Sequence, residues 1–76
     1  MTHVDEKVSV GLNEYPRWVK WKNKVHKVEK IGLHHTYREG KSLYHVFSLV
    51  TKTLFMRLIF DTETLNWRLT DVEDGI

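Results

Sequence analysis

The stretch Leu43-Tyr44-His45-Val46-Phe47-Ser48-Leu49-Val50-Thr51-Lys52-Thr53-Leu54-Phe55-Met56-Arg57-Leu58-Ile59-Phe60 decides the fold. It holds two apolar runs split by Thr51-Lys52-Thr53. Periodicity alone does not separate a buried helix from two strands in runs this short. Residue type does: Val, Ile, Phe, Tyr and Thr suit a pleated surface, and the β-branched ones are stiff in a helix. The polar triplet then reads as a turn and the segment as a β-hairpin. With Thr51-Lys52 as a two-residue loop, Leu49 opposes Leu54, Phe47 opposes Met56, His45 opposes Leu58 and Leu43 opposes Phe60. Opposed residues share a face, so one face is almost wholly apolar. A slip of one residue would exchange the two faces.

Working outward, Asp61 to Asn66 is a polar loop and Trp67-Arg68-Leu69-Thr70 a further strand, with Trp67 expected beside Phe60. On the other side, Arg38-Glu39-Gly40-Lys41 reads as a turn. Val25 to Ile31 reads as a strand, with Gly32 marking a bulge or bend. Asn23-Lys24 is expected as a primed two-residue turn, because Asn tolerates positive φ. Arg17-Trp18-Val19-Lys20-Trp21-Lys22 is the strand before it. The lone Pro16 has no N–H and biases Tyr15 to extended geometry, so 13–16 reads as a loop. Lys7 to Leu12 alternates as a strand would, at an edge. A short helix near 33–39 or at the C-terminus stays open.

Short strands in succession with turns between them predict an all-β fold. The expectation is a single small antiparallel meander or partly open SH3-like barrel of five to six strands. Residues 1–15 form an N-terminal segment with an edge strand, 16–72 the β-domain and 73–76 a tail, with fraying expected at 1–5 and 74–76. The expected core is Trp21, Val28, Ile31, Val46, Phe47, Leu49, Met56, Leu58, Phe60, Trp67 and Leu69. Seventy-six residues support one such core. The absence of cysteine removes disulfides and thiolate zinc sites and suits a cytoplasmic setting. Apolar runs are too short for a membrane-spanning helix, and the polar residues after Met1 lead us to expect no secretory signal. No membrane partner is expected.

Charge is segregated. Residues 17–57 carry ten Lys and Arg against two Glu, whereas both flanking segments are net acidic. Lys20, Lys22, Lys24, Lys27 and Lys30 lie on one predicted hairpin, with Arg38 and Lys41 flanking. Trp18 and Tyr37 are the aromatics expected to stack if exposed. Lysines along a backbone track with interleaved aromatic faces are what phosphates and unpaired bases require. The sequence thus points to a non-enzymatic nucleic-acid-binding module, with single-stranded and duplex ligands both open. The plainer reading is that lysines keep a hairpin soluble and that aromatics fill the core. The alternative function is a protein-interaction or self-associating module using an exposed strand edge.

The histidines give a weaker signal. A four-residue loop over 38–41 would place His34 opposite His45, part of a metal set, but no third ligand is visible. Adjacent His34 and His35 point to opposite faces of a strand. No nucleophile triad, paired-carboxylate site or glycine-rich phosphate loop is recognisable. No enzymatic activity, metal or other cofactor is expected.

One resemblance adds to this. Trp21-Lys22-Asn23-Lys24-Val25-His26-Lys27-Val28, then Tyr44-His45-Val46, then Asp61-Thr62 and Trp67-Arg68-Leu69 resemble a family of short bacterial domains of unknown function. That family runs Trp-basic-Gly-basic-x-Tyr-basic-Val, a Tyr-rich strand, then Asp and Trp-x-Leu. The resemblance spans about residues 16–72. Asn23 stands for the family's turn Gly, and His26 for its Tyr. It implies a small β-barrel or meander, sometimes encoded near DNA-repair genes, and no catalytic residues.

Overall fold

The computed structural model describes residues 2–75. Six antiparallel strands run β1 (Thr2–Asn13), β2 (Tyr15–Trp21), β3 (Lys24–Glu39), β4 (Ser42–Thr51), β5 (Leu54–Asp61) and β6 (Asn66–Asp74). Each pairs with its sequence neighbours, and β6 returns to β1, closing an up-and-down barrel. The all-β expectation is met, and residues 33–39 are strand, not helix.

The decisive hairpin forms with its faces as expected and its register moved. Leu49 opposes Met56, Phe47 opposes Leu58 and His45 opposes Phe60. The loop residues are therefore Lys52-Thr53, one position later than predicted. The loop shift moves each partner by two residues, which preserves the face. The Thr51 hydroxyl accepts a hydrogen bond from Leu54 N at 3.1 Å, which draws Thr51 into the ladder. Trp67 opposes Phe60, as expected.

The other turns follow backbone chemistry. Lys22 and Asn23 both have positive φ, 52° and 60°, so the primed turn is Lys22-Asn23, with Trp21 opposing Lys24. The predicted Asn23-Lys24 turn was one residue late. Gly40 supplies positive φ in the two-residue loop Gly40-Lys41.

The N-terminal segment needs the largest correction. β1 is not an edge outside the domain. Its first half pairs with β6, from Thr2 opposite Val72 to Val8 opposite Trp67, and its second half with β2. Val8 belongs to the core. β2 begins at Tyr15, and only Glu14, with φ 69°, separates it from β1. β6 runs to Asp74, so Glu73 and Asp74 of the predicted tail are strand; its last residue, Ile76, and Met1 of the N-terminal segment lie outside the described residues.

Bulges bend the strands far enough to close the ring. Gly11 opposes Trp18 while Leu12 opposes Pro16, so Arg17 is an extra residue in β2. Pro16 and Val19 thereby both face inward and are buried, although their spacing breaks strict alternation. Glu29 and Gly32 are the extra residues of β3. The barrel interior is packed by Val8, Val19, Phe47, Leu49, Met56, Leu58, Trp67, Leu69 and Val72. Val46 is buried too, but on the opposite face of β4 from Phe47. Trp21, Val28, Ile31 and Phe60, expected in the core, are only partly buried and pack around its ends. Val8, Val19 and Val72 were missing from the expected core because single valines in charged strands carry little sequence signal.

Candidate functional site

Strand register sorts the basic residues. In β2, Val19 faces inward, so Trp18 and Lys20 face out. Lys27 opposes Trp18, Val25 opposes Lys20, and Ser9 opposes Lys20 from the β1 side. Trp18 is 38 % exposed. Its indole lies over Gly11, its cross-strand neighbour. The outer face of β1–β2–β3 thus presents a flat aromatic ring with Lys27 directly across and Lys20 next along β2.

Two further depressions flank this hairpin. One is lined by Lys7, Ser9, Lys20, Lys22 and Asn23. The other brings together Lys24, Lys27 and Lys52 with His26 and Glu29. Among the described residues, none of these lysines has a carboxylate within ion-pair distance. The Lys22 ammonium sits 4.8 Å from the centre of the Trp21 ring, whose Nε1 donates to Glu6 at 3.2 Å. The His26 pKa is lowered by burial of its ring and then by the charge of Lys24.

Not all the predicted residues join. Arg38, Lys41 and Tyr37 sit at the far tip of the β3–β4 hairpin. Lys27 and Arg38 are separated along β3 by up to roughly 35 Å at about 3.3 Å per residue. Tyr37 is exposed but stacks on Tyr44, with ring centres 4.9 Å apart. Lys30 lies between the two groups, in a cleft shared with Arg17. Sequence reasoning missed Lys7 and Lys52. Lys7 is the only base of an acidic segment read as outside the domain, and pairing Ser9 with Lys20 is what brings it near.

The cleft marks where β2 and β3 part. Their ladder spans only Lys24–Lys27, after which β3 pairs with β4 alone. The cleft runs into the barrel mouth, a cavity of about 220 Å³ walled by Tyr15, His34, His45, Phe47, Phe60 and Trp67, with Leu12 and Glu14 at its edge. His34 opposes Phe47, not His45, because the turn is two residues long. The two histidines still meet, diagonally, with His34 Nε2 2.8 Å from His45 Nδ1. His34 stacks on Phe47 with ring centres 4.3 Å apart and planes within 6°. Its pKa is lowered by burial of one ring face first, then by His45 and His35. Among the described residues, no third His, Cys, Asp or Glu completes a metal-ligand set with them. Comparison with family models, with curated proteins and with solved structures gives no match for this chain.

Proposed function

We propose that the protein is a non-enzymatic nucleic-acid-binding module. The observation that carries this reading is the exposed Trp18 indole seated on Gly11, with Lys27 across from it and Lys20 beside it on the same outer face. An aromatic platform flanked by unneutralised ammonium groups serves a base and its neighbouring phosphates together. Lys7, Lys22, Lys24 and Lys52 widen the positive field around the hairpin. Arg38, Lys41 and Tyr37 are not needed for this surface.

The test is an amide-shift titration with short single-stranded RNA, single-stranded DNA and duplex DNA at two salt concentrations. Shifts should cluster on residues 7–11 and 17–30. If three lysines neutralise phosphates, the logarithm of the association constant falls with that of salt with a slope of about −2 for a single strand. Reversing Lys20 and Lys27 to Glu should abolish binding. Unchanged binding by that variant, or no shift at low salt, would refute the reading.

A second reading, a protein-binding strand edge, has one observation in its favour. Beyond Lys27, the side of β3 facing away from β4 has no ladder partner, and Leu33 beside it is 56 % exposed. It predicts association that survives the Lys20 and Lys27 reversal and fails when Pro replaces Leu33.

A further inference from the structure

The barrel mouth has the chemistry of a heterocycle site. Its walls are ring faces and edges: Phe47 and Trp67 at the floor, Phe60 to one side, and Tyr15 meeting His34 edge-on at 6.4 Å. Its volume, about 220 Å³, falls below the roughly 300–1,000 Å³ of sites for drug-sized ligands. One planar ring system fits it, and a whole nucleotide does not.

The polar groups at the mouth narrow the ligand further. A neutral imidazole has one N–H and one lone pair. The contact between His34 Nε2 and His45 Nδ1 consumes one N–H and one lone pair from the couple. Whichever ring donates, the couple is left with one N–H and one bare nitrogen, on His34 Nδ1 and His45 Nε2. Swapping the tautomers reverses which is which. The two face away from each other at opposite ends of the couple, so a base in the mouth meets one of them, the N–H or the bare nitrogen, with a single group of its own edge. The lowered pKa of His34 favours the neutral couple this requires. Glu14 adds a carboxylate acceptor for an amino group and repels phosphate, so the base end of a nucleotide enters and the phosphate stays outside.

Outside, the path for a phosphate exists. The cleft between β2 and β3 shares Glu14 and Tyr15 with the mouth and carries Arg17 and Lys30 beside Glu29, so a phosphate there is held by the two cations alone and kept from the carboxylates. Trp18 lies three residues from Tyr15 along β2, about 10 Å at 3.3 Å per residue. Platform, cleft and mouth therefore follow one another over the end of the β1–β2 hairpin.

We infer that the mouth receives one unstacked base of a single-stranded nucleic acid whose neighbouring base stacks on Trp18 and whose backbone crosses the cleft at Arg17 and Lys30. This rests on the nucleic-acid reading and selects single strands over duplex, because a paired base has no free edge to present.

The experiment is fluorescence anisotropy with a labelled single strand of about eight nucleotides, its blunt duplex, and a series in which one position at a time is abasic. Each is titrated with the parent, with Tyr15→Ala/His34→Ala, with Tyr15→Phe and with Lys20→Glu/Lys27→Glu. Tyr15 and His34 are both exposed, and amide dispersion checks that the variants stay folded. The parent should bind the single strand at least tenfold tighter than the duplex. The alanine pair should lose on the order of tenfold on the single strand, the worth of one stacked base, and little on the duplex. Tyr15→Phe keeps the ring and should keep most of the affinity. One abasic position should cost the parent a similar factor and the alanine pair nothing. If the lysine reversal abolishes binding while the alanine pair binds as the parent does, or the duplex binds as well as the single strand, the mouth assignment falls and the platform stands. If the lysine reversal changes nothing, both fall.

Discussion

The indole of Trp18 occupies the space that a side chain on Gly11 would need. A Cβ placed on Gly11 would fall 2.0 Å from Nε1 and 2.2 Å from Cε2 of Trp18. Gly11 is thus a strand residue whose missing side chain makes room for an aromatic ring across the ladder, the pairing used to rescue glycines in designed sheets.

Gly11→Ala should therefore push the indole off the sheet and destabilise the fold by about 1–3 kcal/mol through overpacking. In a Trp18→Ala background the sign should reverse. There Ala removes glycine's strand penalty of roughly 0.5–1 kcal/mol and meets no ring. Urea unfolding of the four-member cycle measures the coupling, and equal costs in both backgrounds would show the contact to be incidental.

Leu65 carries strain with no packing to offset it. It has φ 60° at the end of the β5–β6 loop and is 69 % exposed. The left-handed region costs an ordinary L-residue about 1–2 kcal/mol, and Asn much less. Leu65→Asn should raise stability by about 1 kcal/mol, read as a higher denaturation midpoint. Leu65→Val, branched at Cβ, should lower it. The loop itself is held by Asp61, whose carboxylate accepts from Glu63 N at 2.8 Å, so Asp61→Ala should erase the gain.

Closure by β1 makes the first residues structural. Val8 is 8 % exposed against the core, and Thr2 to Val8 cover the β6 edge. Removing residues 2–8, or placing Asp at Val8, should abolish cooperative thermal unfolding, since so small a domain holds only a few kcal/mol in reserve. A truncated chain that still melts sharply would restore the view of residues 1–15 as an accessory segment.

Acid should weaken the fold. The folded-state pKa values of His34 and His26 lie below the ordinary 6.5. The unfolded chain then binds more protons than the folded one between the two values, so stability rises with pH there. The stabilisation is complete above about pH 6.5 and declines as pH falls through the lowered values. Solvent access keeps the effect modest. Denaturation midpoints at successive pH values should fall on acidification, less steeply in His34→Gln. A flat profile in the parent would disprove the assignment.

The path from sequence to site was uneven. The apolar face of 43–60 was legible because burial enforces which residues share a face, and the loop shift left that face unchanged. Trp18 was named only as a residue that would stack if exposed; its exposure came from the structure, where the buried Val19 beside it sets the inward face of β2. The meeting of His34 and His45 was foreseen from a mistaken register: they meet diagonally because Phe47 lies opposite His34. Lys7 was invisible, since its place depends on a pairing between strands that no local pattern reports.

By itself, then, the sequence determined the all-β class, the Gly32 bulge, most of the apolar interior and the basic hairpin. Each follows from chemistry confined to a few neighbouring residues: side-chain alternation, turn dihedrals and charge. Only the tertiary structure decided the ring closure between β1 and β6, the parting of β2 from β3 at Lys27, and the mouth where His34, His45 and Tyr15 converge. Those features depend on bulges at Arg17, Glu29, Gly32 and Thr70, which turn short registers into a closed ring. A bulge moves residues far apart in the chain, and its effect appears only when every strand has found its partner.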